Sequence, residues 1–197
     1  MSEIKDTYKT ITRPSPESIF KEKGSKFLGY AFPVTNEDEI KEHLEEIKKL
    51  HHNARHWCYA WQLGKNYDRY RANDDGEPAN TAGMPIYGQI QAFDLTNILV
   101  ISVRYFGGVK LGVGGLIQAY RASAQATLEQ CKIVERTINI DFVIKFDYPE
   151  MNTVMRIIKE EDLTVTNQDL ALDCKVYISV RQKDADRIFD IFNNTYK

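Results

Sequence analysis

The run Val103-Arg104-Tyr105-Phe106-Gly107-Gly108-Val109-Lys110-Leu111-Gly112-Val113-Gly114-Gly115-Leu116-Ile117-Gln118-Ala119-Tyr120-Arg121 joins three local patterns in one order. Asn97 to Val103 is almost continuously apolar and β-branched, which suits a strand buried on both faces. Leu116 to Glu135 has the composition of a long helix. Between them lie five of the chain's 11 glycines, at 107, 108, 112, 114 and 115, where a backbone without Cβ can take positive φ or approach another group closely. A helix start carries unpaired amides and partial positive charge, so a glycine loop bearing Lys110, bracketed by Arg104 and Arg121, is a candidate phosphate site. Gly107, Gly108, Gly112, Gly114 and Gly115 would supply the backbone. The known nucleotide fingerprints fail: Val113 and Gly114 stand where a P-loop needs Lys-Ser/Thr, and Ile117 stands where a dinucleotide loop needs a small residue. The same glycines also fit a tight turn that packs helix on sheet.

Composition bounds the rest. The 197 residues suffice for one large or two small domains, and 43% hydrophobic with 27% charged residues indicates a folded chain. Net charge is −2, and only residues 51–121 are net basic, with seven basic and five acidic side chains, so a wholly basic nucleic-acid binder is excluded. Three scattered cysteines fit neither a disulfide framework nor a zinc site. With no membrane-length apolar run and no signal-peptide core after Met1, a cytoplasmic protein without membrane attachment is expected.

Outward from the glycine run, the elements follow from period and punctuation. Thr7–Thr12 alternates as an edge strand; Ser18–Glu22 and Phe27–Phe32 form a hairpin across Lys23-Gly24-Ser25-Lys26. Thr35 or Asn36 caps a helix whose stripe is Ile40, Leu44, Ile47 and His51, extended by Leu50. His52 and His56 lack the glutamate of a metalloprotease helix, and no metal or cofactor is expected. His56–Leu63 is an aromatic strand with Trp57, Tyr59 and Trp61 on one face, suited to core packing or to base stacking, and with Cys58 on the other. Asp74-Asp75-Gly76-Glu77-Pro78 forms an acidic turn ahead of a helix capped by Thr81. Asp74, Asp75 and Glu77 fit hard-metal ligation or acid–base work, but also the holding of backbone amides, which ranks first because no partner motif accompanies them.

No glycine follows Gly115, and this shift marks a second unit, which divides the chain into domains 1–135 and 136–197. Arg136 and Thr137 make a short boundary. Ile138–Phe146 alternates as a strand, a helix covers 149–161, strands fall near 163–167 and 174–181, and Ala185–Asn193 is helical. This β-α-β-β-α order is a ferredoxin-like unit lacking its last strand.

Lys23-Gly24-Ser25-Lys26-Phe27-Leu28-Gly29, Asp74-Asp75-Gly76-Glu77-Pro78, Thr81-Ala82-Gly83 with Pro85, and the Arg104–Leu116 glycine run together resemble the IMPACT family, in particular its bacterial two-domain members of the YigZ type. The resemblance covers essentially the whole chain. One departure is Asn80, where the family usually has glycine; asparagine tolerates left-handed backbone, so the turn is expected to survive. The resemblance implies an α+β protein: an N-terminal two-layer α/β domain like those of a small-subunit ribosomal protein and of the translocating elongation factor, then a ferredoxin-like domain. It also implies regulation of translation, since eukaryotic members block activation of the starvation-responsive initiation-factor kinase through protein contact.

Two functional expectations result. The first is a noncatalytic translation-associated regulator that binds RNA, the ribosome or a translation factor through Arg104, Lys110 and the 107–115 backbone, with Arg55, Arg69, Arg71 and Arg121 as weaker members of the same face. The second is an enzyme acting on a small phosphorylated metabolite, with a metal held by the acidic turn. A purely protein-binding regulator is a third.

Overall fold

Short apolar runs separated by turn residues fold here into ten strands and five α-helices, which the computed structural model describes over residues 5–171 and 173–195, with side chains to 193. The first four residues of the N-terminal stretch therefore lie outside the described residues. Internal contacts divide the chain into a unit spanning Tyr8–Arg136 and a second comprising Thr137 onward with the short segment before Tyr8.

The first unit is built from β1 (Thr7–Ile11), β2 (Ser18–Glu22), β3 (Ser25–Pro33), α1 (Glu37–Leu50), β4 (His56–Leu63), β5 (Arg69–Asn73), α2 (Gly83–Ala92), β6 (Ile98–Tyr105), α3 (Gly112–Glu129) and β7 (Ile133–Thr137). Five strands form one sheet in the order β2-β3-β6-β4-β5, every neighbour antiparallel, while β1 and β7 pair separately. The β-branched run makes β6 the central strand, and Ile98, Leu99, Val100, Ile101 and Val103 have no exposed surface. Helices α2 and α3 pack on one face through Ile86, Ile90, Leu116, Tyr120, Ala124 and Leu128. On the other face α1 packs through Ile40 and Ile47 on Leu99, Ile101 and Trp61, and so adds a third layer to the two expected. One helix cannot cover five strands, and the β2 edge of that face stays open.

Details at element ends depart from the sequence pattern for local reasons. The hairpin turn shrinks to Lys23 and Gly24, at φ 45° and 80°, because Glu22 pairs directly with Ser25. Asn36 rather than Thr35 caps α1, accepting from the Asp38 and Glu39 amides. Leu50 lies off the buried stripe, 64% exposed. Helix α3 starts at Gly112, before the expected Leu116, and stops at Glu129, so Arg136 and Thr137 end strand β7 rather than form a loop. Strand β5 has no sequence signal beyond a few polar and aromatic residues, since its side chains are mostly exposed.

The second unit contains β8 (Asn139–Phe146), α4 (Met151–Glu160), β9 (Thr164–Asp169), β10 (Cys174–Arg181) and α5 (Ala185–Thr195). Its antiparallel sheet has the order β8-β10-β9, and Phe146, Val154, Ile158, Val176, Ile178, Ile188 and Phe192 form its core. First strand beside third beside second is the ferredoxin-like order without a fourth strand.

Two glycines of the decisive run have opposite surroundings. A Cβ on Gly107 would lie 1.9 Å from the Gly24 carbonyl carbon, whereas one on Gly114 would meet nothing within 4 Å. Gly107→Ala therefore forces the hairpin tip away and should destabilise by about 1–3 kcal/mol. Gly114→Ala should stabilise by up to about 1 kcal/mol through helix propensity. Urea unfolding of the two variants checks the opposite signs.

Candidate functional site

Strand β6 sends alternate side chains to opposite faces, so Arg104 points toward α2 and α3 and Tyr105 toward α1's side. Arg104 is buried, its side chain 6% exposed, with Nη1 2.6 Å from Glu77 Oε1. The hydroxyl of Tyr120, on α3, donates to the same oxygen at 2.8 Å. The guanidinium lies 5.6 Å from the ring centres of both Phe27 and Phe106. Ser25 Oγ, 3.5 Å from Arg104 Nη2, accepts the Gly107 amide at 3.3 Å, which couples the hairpin tip to the base of the glycine loop. Arg104 is thus an internal ion-pair partner, set apart from the exposed part of the loop.

The acidic turn spends its carboxylates inward. Asp74 accepts from the amides of Asn80, Ala82 and Gly83 at 2.8–2.9 Å, so it caps α2 from outside the helix. Thr81, the expected cap, instead donates to the Pro78 carbonyl. Asp75 Oδ2 accepts the Trp57 amide at 2.8 Å and its carbonyl lies 2.8 Å from His56 Nδ1. A carbonyl only accepts, so that nitrogen carries the proton, and Nε2 faces Glu77 at 3.9 Å. Asn80 takes φ 62°, the left-handed backbone expected of it. Cys58 donates to the Asp74 carbonyl at 3.0 Å and sits 3.2 Å from the Tyr120 hydroxyl; burial raises the pKa of both groups, so neither ionises readily. Among the described residues no group of three histidine, cysteine or carboxylate side chains is placed to hold a metal ion.

The loop itself faces outward. Phe106 to Lys110 are exposed, and Gly108 and Gly112 take φ 90° and 71°. No side chain caps α3, and because Gly115 N–H is the first amide to reach back along the helix, to the Leu111 carbonyl, the amides of Val113 and Gly114 have no acceptor within it. Cβ atoms on Gly108, Gly112 or Gly114 would meet nothing within 4 Å, while one on Gly115 would press on Leu111 at 3.1 Å. Arg55 lies over Phe106 at 5.9 Å. The other basic residues are elsewhere: Arg121 lines a cavity with Asn80, Gly88 and Ile117, and Arg69 and Arg71 sit on edge strand β5, where Arg69 pairs with Glu37. The acidic turn and the loop base therefore adjoin through Arg104, with Tyr120, His56 and Ser25 completing the cluster. Tyr120 is readable only as a core-stripe aromatic with a polar end, and nothing in the spacing reveals its carboxylate partner.

The Impact N-terminal domain family matches residues 23–128, which contain both the acidic turn and the loop. "IMPACT family member YvyE" of Bacillus subtilis is 36% identical over 78% of this chain and 70% of its own. "IMPACT family member YigZ" of Escherichia coli is 30% identical over 79% and 78%. A crystal structure described only as that of a hypothetical protein has the same fold, with TM-score 0.71 and 23% identity over 98% of this chain and 94% of that one. The two-domain translational regulator Yih1 aligns at TM-score 0.35 and 21% identity over 66% of this chain and 49% of its own. The chain belongs to the IMPACT family. No helix among the described residues is long and apolar enough to cross a membrane.

Asp74 has the largest backbone role in the turn. Asp74→Ala leaves three amides without their acceptor and should cost about 2–3 kcal/mol, more than an ordinary cap, which chemical denaturation checks.

Proposed function

We propose that this protein is a noncatalytic binding protein acting on translation, and that the exposed loop 106–115 with the first turn of α3 meets RNA phosphate, free or on the ribosome. Family membership supports the translation half, because regulation of translation is what the resemblance to this family implies. The phosphate half rests on Gly114. This residue has neither positive φ nor a crowded neighbour to require glycine, yet it weakens the helix it begins. A bare backbone there keeps the unpaired amides of Val113 and Gly114 open to an outside group, and Lys110 adds a full positive charge beside them. Arg104 has no part in this surface, since its charge is already neutralised by Glu77.

The acidic turn argues against the phosphorylated-metabolite enzyme. Asp74 and Asp75 are held by backbone amides and Glu77 by Arg104 and Tyr120, so metal ligation or proton abstraction would first have to break the turn.

Fluorescence anisotropy with a single-stranded RNA of about 16 nucleotides, at 50–200 mM salt, tests the reading. Lys110→Ala should make log K less steep in log salt by about 0.7, one single-strand phosphate contact. Gly114→Ala should weaken binding although it stabilises the fold. RNA affinity unchanged in both variants would refute the phosphate site.

A further inference from the structure

On the face that α1 leaves open, a cavity of about 540 Å³ lies beside edge strand β2. Ile19, Leu28, Tyr105 and Phe106 give it apolar walls, and Lys21 and Lys26 stand on paired positions of β2 and β3 above them. Ile19 is 57% and Phe106 41% exposed, a large apolar exposure for two residues that line one cavity. Neither lysine has a carboxylate partner among the described residues.

The cavity wall is rigidly built. Tyr30 donates to Glu17, so its oxygen accepts from His51 Nε2 at 2.6 Å, which leaves His51 Nδ1 to accept from the Tyr105 hydroxyl at 3.0 Å. Both ring nitrogens of His51 are used, and burial lowers its pKa, in keeping with a neutral ring. Glu17 accepts from Tyr30 and forms no ion pair with Lys21 or Lys26 among the described residues. β2 is the outer strand of the sheet, and its outward N–H and C=O groups have no strand partner among the described residues.

We propose that this groove binds an extended acidic segment of a partner protein, which adds along β2, seats a large apolar side chain between Ile19 and Phe106, and sets carboxylates on Lys21 and Lys26. Charge complementarity selects the acid, the cavity selects the apolar residue, and the open strand edge supplies main-chain hydrogen bonds. A nucleic acid fits less well, because two lysines over an apolar floor neutralise few phosphates. The groove shares Phe106 with the 106–115 loop but rests on Lys21, Lys26 and the β2 edge, and does not depend on the RNA reading.

Selection of random twelve-residue display peptides on the full chain tests it. Enriched peptides should combine Asp or Glu with a large apolar residue and compete with one another for one site. Lys21→Glu combined with Lys26→Glu, both on the exposed surface, should weaken them at least tenfold and should itself enrich lysine-bearing peptides. Lys110→Ala should leave peptide binding unchanged. No enrichment, enrichment without acidic residues, equal binding by the charge-reversed variant, or displacement of the peptides from the Lys110→Ala variant by oligouridylate at equal concentration would each overturn the proposal. Ile19→Ser with an unchanged melting temperature should also lose binding, and its retention would count the same way.

Discussion

A guanidinium sealed from water must have its charge met from within, and in this protein Arg104 is met by Glu77 at 2.6 Å. That contact joins the end of the central strand to a turn 27 residues upstream, and Tyr120 brings α3 to the same oxygen. Phe27 and Phe106 close over the guanidinium, and Ser25 ties the hairpin tip to Gly107 beside it. Four segments distant in sequence thus converge on one buried charge pair. Once Glu77 is fixed, Asp74 and Asp75 are placed to take up the amides of α2 and of β4.

This arrangement sorts the charged and glycine-rich motifs into two kinds. Arg104, Asp74, Asp75, Glu77, Gly24 and Gly107 are needed by the fold itself, for ion pairing, amide capping or backbone contact. Lys110, Gly108, Gly112 and Gly114 are in no such debt to the interior; they face solvent at the mouth of α3. The motif that looks like one site in the sequence is therefore an internal half and an external half, divided near Gly107. The open side of the sheet near β2 is a second outward surface, left because a single helix covers that face.

Much of the architecture was legible because hydrophobic period survives in sequence. The continuous apolar run of β6, the alternation of β8 and the stripe of α1 each name their element, and the absence of glycine after Gly115 accompanies the change to a ferredoxin-like unit. Element ends were less legible. Glycines at 112, 114 and 115 read as loop by propensity, yet tertiary packing through Leu116 and Tyr120 draws them into α3. Thr81 read as a cap, but the carboxylate of Asp74, eight residues before Ala82, reached the amides first. Of the candidate site, the acidic turn's amide-holding role follows from elementary turn chemistry. Arg104's burial does not, because a lone arginine after a strand looks the same whether its partner is a phosphate or a glutamate far off in the chain.

The direct test of this account is a double-mutant cycle at the buried pair, read by urea unfolding and by RNA affinity on the same variants. Glu77→Gln and Arg104→Gln should each cost about 3–5 kcal/mol because each strands a buried charge, and the double variant should recover at least about 1.5 kcal/mol of their sum. Stability that falls additively, or hardly falls for Arg104→Gln while RNA affinity collapses, would contradict the internal role of this pair.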